Sequence, residues 1–340
     1  MKTIKIDYKI LVNGFAPNGN YEADGFILKT GRFNEDAFDF TKHITLSNEF
    51  DINTNDYLWS CIVDTNTMEY RFFQSNEQFV YDVDYENIDS LSEIIVNNRS
   101  FLECVNDLET ELRLIFNIPV LFEAVIMDVY DCNNVKLLTL DVMKEHSQWN
   151  RLKYKISDID FYNNSRLHLK FCEYKKIHLS PEFNRAKELF SLSFNSDYLP
   201  LRFLLLISVL ESIFTLSGRN ISDSIAICTS QLLFGDNEKQ SSIVYKQMRF
   251  FYEKRCAYIH GRDIDSITEE DELMLRKYVR IVVLTYWFMV ISYGTDAKTI
   301  KKSIMENNID VVIRLFAKSL ILDTFEETKN YIFELMNVRS

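Results

Sequence analysis

An arginine and a histidine five positions apart, Arg255 and His260, with Gly261 directly after the histidine, mark the stretch RFFYEKRCAYIHGRD between Arg249 and Asp263. Arginine is always charged and presents a fork of donors suited to clamping a phosphate, whereas histidine exchanges a proton near neutral pH. Such a pair can cleave RNA without a metal. The 2′-hydroxyl attacks the adjacent phosphate, and the guanidinium stabilises the charge that builds on it.

Both residues must be delivered by a helix. From Gln240 to Ile259 there is no Gly or Pro, and Ile243, Val244, Met248, Phe251, Tyr252, Tyr258 and Ile259 recur mostly at helical spacings. Gly261 is the residue type that most readily turns left-handed just past a helix C-terminus. His260 would then sit at the negative end of the helix dipole, which favours its charged form and pushes its pKa upward. Residues five apart are about 140° apart around a regular helix. The two side chains therefore converge only if the last turn unwinds at Gly261, if the long Arg255 side chain reaches round, or if two copies face each other. Alone, two residues at a fixed separation recur by chance in many chains, and a histidine at a helix end is often a cap.

The residues Tyr252, Arg255, Tyr258, Ile259, His260 and Gly261 resemble the signature of the HEPN superfamily, whose ribonuclease members carry Arg, four to six residues, then His. Gly261, together with Glu211 in the upstream apolar helix LRFLLLISVLESIF, looks most like the ApeA-like branch found in bacterial anti-phage (abortive infection) defence. The resemblance covers roughly residues 181–293. It implies an all-α bundle that pairs as a homodimer and joins two Arg-His motifs into one metal-independent RNase site, with Arg255 and His260 catalytic. The position after the arginine is commonly Asn, Asp or Ser in that family. Here it is Cys256, a weaker hydrogen-bonding group.

Charge bears on where RNA could bind. Residues 1–180 hold 18 Lys+Arg against 29 Asp+Glu, and residues 181–340 hold 20 against 21. The acidic first half is a poor surface for nucleic acid. Lys246, Arg249, Lys254, Arg255 and Arg262 gather around the motif, which makes Lys254, Arg262 and Arg249 the candidate RNA contacts; the alternative is a solvated helix face. Tyr252 and Tyr258 could stack on a base or belong to the core. Glu211 could orient Arg255, or pair with another base such as Arg202.

Length and composition suit two folded domains without a cofactor. The chain has 340 residues, 47% of them hydrophobic, with 8 Gly and 4 Pro. Six cysteines at 61, 104, 132, 172, 228 and 256 form no CxxC pair, and with five scattered histidines they give no zinc spacing. They read as reduced thiols in a cytoplasmic protein. Neither GxxxxGK nor GxGxxG occurs, so no nucleotide cofactor is expected. The N-terminus lacks a signal-peptide core, and the apolar stretches 199–216 and 281–293 read as buried helices rather than membrane spans.

The fold class expected is α+β: a mainly-β domain over residues 1–178, sandwich- or barrel-like, then a HEPN-like helical bundle with a C-terminal extension over 181–340. The strand candidates are 3–12, DGFILK, YLWSCIVD, TMEYRFFQ, a hairpin turning at Asn133-Asn134, and RLHLKFCEY, with one helix from about Ser100 to Phe116. His43, His146, His168 and His178 have no carboxylate or cysteine at a telling spacing, which suits surface or packing roles. Ser180-Pro181 opens the helical half, with helices at 181–194, 198–217, 221–234, 240–259 and 267–293. A capping box at Ser266 and Glu269 opens the last of these, and two amphipathic segments follow residue 294. This acidic first domain could sense a phage-derived or cellular trigger. The reading of a different class is a non-catalytic HEPN-like module that binds RNA or protein.

Overall fold

The computed structural model of the chain describes residues 1–13, 15, 17, 21–23, 25–32, 62–64, 69–143, 167–168, 181–215, 220–262, 267–293 and 297–322. The chain divides into two compact units, Met1–Leu169 and Lys170–Ser340, a division that falls earlier than the break expected before Pro181.

In the first unit the described strands are β1 (Lys2–Asn13), β2 (Glu22–Ala23), β3 (Phe26–Arg32), β4 (Ile62–Asp64), β5 (Glu69–Ser75), β6 (Phe79–Val83), β7 (Leu121–Asp131) and β8 (Lys136–Met143). They form one antiparallel sheet in the order β2-β3-β5-β1-β7-β8, with β4 on β5 and β6 on β1. Alternation along β1 buries Ile4, Ile6, Tyr8 and Ile10, while β7 is buried on both faces from Leu121 to Val129, an apolar run interrupted only by Glu123, which accepts from Asn13, and Asp128, which pairs with Lys9. Strands β5 and β6 follow one edge of β1 in succession. Gln74 pairs with Lys9 and Phe79 with Ile6, so residues 75–78 stand opposite only Asp7 and Tyr8. The Ser75 hydroxyl fills that bulge by accepting the Tyr8 N–H at 3.0 Å.

The expected β7–β8 hairpin is present. Asn134 takes φ 64°, and the Asp131 carboxylate accepts the N–H groups of Asn133 and Val135, each at 2.8 Å. Two helices rather than one interrupt the strands: α1 (Ile88–Asn97) and, after a 3₁₀ turn at Arg99–Leu102, α2 (Glu103–Phe116). Of RLHLKFCEY only Leu167 and His168 are described, and these two are helical rather than extended.

The second unit is a helical bundle: α3 (Pro181–Leu192), α4 (Leu199–Phe214), α5 (Ile221–Phe234), α6 (Glu238–Ile259), α7 (Glu269–Tyr293), α8 (Ala297–Met305) and α9 (Val311–Leu322). An antiparallel sheet followed by these helices is the expected α+β order. Five of the helices match the sequence reading closely, and α8 is an addition to it. The expected segment TFEETKNYIFELM lies outside the described residues. Helix α7 is the bundle's axis: every residue from Ile281 to Val290 is buried, as befits a helix surrounded by others. Helices α4 and α6 each bury one stripe, Phe203, Leu206, Ile207 and Leu210 on α4 and Val244, Met248 and Phe251 on α6. Ile243 and Ile259, counted above in the apolar pattern of α6, are exposed instead. No helix among the described residues is long and apolar enough to cross a membrane.

Candidate active site

Helix α6 is opened by Asn237, whose side chain accepts the Gln240 N–H at 3.1 Å, and it runs regularly to Ile259. The His260 N–H still donates to the Cys256 carbonyl at 3.1 Å, a continuing helical bond. Gly261, at φ 65°, donates to Tyr258 at 3.0 Å and Arg262 donates to Ala257 at 2.9 Å, which completes a Schellman motif. The last turn therefore does not unwind before the histidine. Because nothing lies within 4 Å of where a Gly261 Cβ would stand, Gly261→Ala meets backbone strain alone. It should lower unfolding stability by about 1–2 kcal/mol, read as a lower urea midpoint with unchanged slope.

Arg255 points along the α4–α6 seam. Its Nη2 lies 3.3 Å from Oε1 of Glu211 on α4, and its guanidinium sits over the Tyr252 ring at 5.4 Å from the centroid. The Tyr252 hydroxyl donates to the same Glu211 oxygen at 3.2 Å. Burial first, and then the Glu211 charge, push this hydroxyl above the usual phenol range, so it remains a donor. Of the two roles open to Glu211, the structure shows the contact with Arg255. Arg202 turns instead to Glu272, 3.8 Å away. The Arg255 side chain as a whole keeps a quarter of its surface open to solvent.

His260 is exposed at the end of the helix, and among the described residues its imidazole has no hydrogen-bond or ion-pair partner. No bond joins it to Arg255 within one chain. Cys256 is a free, half-buried thiol between them in sequence.

The basic cluster is less open than the sequence implied. Arg249 is engaged by Asp223 and lies 3.9 Å from Glu253, while Lys254 bonds Asp271 at 2.5 Å and covers the Phe250 ring. Arg262 is exposed at the helix end. Asp271 also closes the N-terminus of α7: its carboxylate accepts the Thr268 N–H at 3.0 Å, and Thr268 accepts the Asp271 N–H at 3.2 Å. The capping box thus forms between Thr268 and Asp271, two residues later than expected. Burial would raise the Asp271 pKa, but the bonds from Lys254 and Thr268 outweigh it and hold the carboxyl below the usual range. A depressed carboxylate contributes stability above its unfolded pKa, near 4, and loses it as pH falls through the lower folded value. Urea titrations from pH 5 to pH 2 should show the native chain losing more stability than Asp271→Asn, which lacks that titration.

Two groupings were not legible beforehand. At the far end of the α4–α6 seam the Tyr258 hydroxyl donates to that of Tyr198 at 2.9 Å. In the first unit, His168 is fully buried between the Tyr21 hydroxyl at its Nδ1 and the Glu111 carboxylate 3.3 Å from its Nε2. His168 therefore does have a carboxylate partner, though one distant in sequence, in the packing role expected for it. Glu111 falls within the buried stripe of α2 with Leu108, Leu112 and Ile115, and an acid in that stripe was the available signal. Among the described residues no group of three or more His, Cys, Asp or Glu side chains could hold a metal ion.

Comparison of the chain with protein-family models, with curated proteins and with solved structures finds no match.

Proposed function

We propose that this chain is a metal-independent endoribonuclease of HEPN type acting in bacterial anti-phage defence, with Arg255 and His260 as its catalytic pair. The observation that carries the reading is the end of α6, where an exposed histidine with no partner among the described residues follows a partly exposed arginine side chain anchored by Glu211. The anchored guanidinium meets the scissile phosphate and stabilises the charge of the pentacovalent state. His260 takes the proton of the attacking 2′-hydroxyl, or gives one to the departing 5′-oxygen. The products are a 2′,3′-cyclic phosphate and a free 5′-hydroxyl.

One imidazole cannot act on both sides of the phosphate at once, and no bond brings Arg255 to His260 within a chain. Both facts support a homodimer formed through the helical unit, in which each copy supplies an Arg and a His to a shared cleft. The acidic first unit is then the sensing or restraining part, open to a phage-derived or cellular trigger, and the setting is the bacterial cytoplasm. The carboxylate partners of Arg249 and Lys254 favour a second reading, a non-catalytic module that binds RNA or protein.

The test is cleavage of mixed cellular RNA in EDTA, alone and with phage-infected extract as a source of trigger. Products with 2′,3′-cyclic ends support the nuclease. Intact RNA under both conditions leaves the binding module as the better reading.

A further inference from the structure

We propose that Tyr198 and Tyr258 form a stacking site for a base of single-stranded RNA, one helical turn from the phosphate held by Arg255; this rests on the ribonuclease reading of the same helix end. Tyr198 precedes the first turn of α4 and exposes 53% of its surface, an unusual state for a large aromatic residue. Tyr258 lies in the last turn of α6 and is also partly open. The rings come from distant parts of the sequence and are tilted towards each other, with centroids 6.5 Å apart and planes at 56°, and their hydroxyls are hydrogen-bonded. That bond fixes both side chains while Tyr198 stays exposed and Tyr258 partly so, and the hydroxyl bond itself is the first cause that raises the Tyr258 pKa. A face that is ordered before binding loses little entropy when a base stacks on it.

Position supplies the second part of the argument. Arg255 and Tyr258 stand three residues apart on α6, about 60° from each other around its axis. Neighbours at this spacing hold their Cβ atoms about 5–6 Å apart, within the span of one nucleotide. A strand with a phosphate on Arg255 can then lay the base of a neighbouring nucleotide, one or more further along, against Tyr258 and Tyr198. Stacking is indifferent to base identity, because every base has a π face, so the site would select unpaired RNA rather than a sequence. The Tyr198 hydroxyl accepts from Tyr258 and keeps its own proton to donate to a base edge or a 2′-hydroxyl.

The experiment uses the full chain carrying His260→Ala, so that RNA stays uncut, and short single-stranded ribo-oligonucleotides with one abasic position moved along them. Loss of the base at one position should weaken binding about tenfold to a hundredfold. Adding Tyr198→Ala with Tyr258→Ala should weaken the intact oligonucleotide by a similar factor and abolish the abasic effect. The corresponding Phe pair, which keeps the rings but not the hydroxyl bond that orders them, should keep the abasic effect with weaker binding than the parent. Unfolding midpoints equal to the parent's would show that these surface changes leave the fold intact.

The proposal is overturned if no abasic position matters, if the double alanine variant binds as its parent does, or if no oligonucleotide binds. An abasic effect that survives the double alanine exchange overturns it too, and a protein-binding role for the pair gives the same absence of base dependence. The two readings stay separable. Base-dependent binding by a chain whose native form never cuts removes the nuclease and leaves the stacking site, whereas cutting without base dependence does the reverse.

Discussion

Replacing His260 by alanine is expected to slow RNA cleavage by roughly 10² to 10⁴ with the helical unit still folded, the range for removal of a general acid or base. The fold should tolerate the change because the bonds that close α6 are made by the backbone of residues 260–262, not by the imidazole. Arg255→Ala should cost about 10² to 10³, as loss of a positioned donor to a developing anion does. Arg255→Lys should rescue little, since an ammonium keeps the charge but not the planar fork that can meet Glu211 and a phosphate together. These losses should appear mainly in kcat, because both groups act on charge and protons that change in the transition state. Native rates in the His260→Ala protein would remove the histidine from the mechanism.

The proposed dimer makes a sharper form of the same result. If each cleft draws Arg and His from two chains, mixing inactive Arg255→Ala with inactive His260→Ala must yield some heterodimers with one intact constellation. Their activity depends on whether a cleft needs one complete pair or two. Partial recovery identifies the shared site, whereas complete silence is the result for a pair acting within one chain and counts against the shared cleft unless it needs both copies of each residue.

How much of this was legible in the sequence depended on the range of the interaction. Strand β1, the β7–β8 hairpin and helix α5 follow from local alternation, a turn at Asn134 and helical spacing, and their extents match what those signals imply. Strand β6 was missed because five residues, FVYDV, at the sheet's edge offer only a short and partly exposed pattern. Helix α1 was missed because it buries only Leu91 and Ile95 and is capped by Asn87 with Ser90, without the glutamate of the usual capping box. At the candidate site the motif itself was local and readable. Its partners were not: Glu211 could be named but not assigned, and Asp223, Asp271 and Tyr198 meet α6 through tertiary packing that no spacing announces.

The largest expected loss of stability lies behind that site, at Glu272. Its carboxylate, 5% exposed, receives Arg276 Nε at 2.8 Å and stands 3.8 Å from Arg202, itself 4% exposed. Arg276 also donates to the Ser193 hydroxyl at 2.8 Å and covers the Phe194 ring at 4.1 Å from its centroid. One carboxylate thus compensates two guanidinium groups that water cannot reach, and it ties α7 to α4 and to the end of α3. Breaking a buried pair by removing one partner costs about 3–5 kcal/mol, because the remaining charge stays desolvated. Glu272→Leu takes the carboxylate from both guanidinium groups, which keep their other contacts, so it should fall within that range, against a typical total of about 5–15 kcal/mol. Arg276→Leu should cost less, since Glu272 keeps Arg202. Replacing Glu272, Arg276 and Arg202 together by apolar residues should recover much of the loss, as no orphaned charge remains. Denaturant unfolding followed by circular dichroism orders the three, and a loss below about 1 kcal/mol for Glu272→Leu would contradict an uncompensated buried charge. Function should follow stability here: α4 carries Glu211 near one end and follows Tyr198 at the other, so an α4 released from α7 loses its hold on both Arg255 and Tyr258.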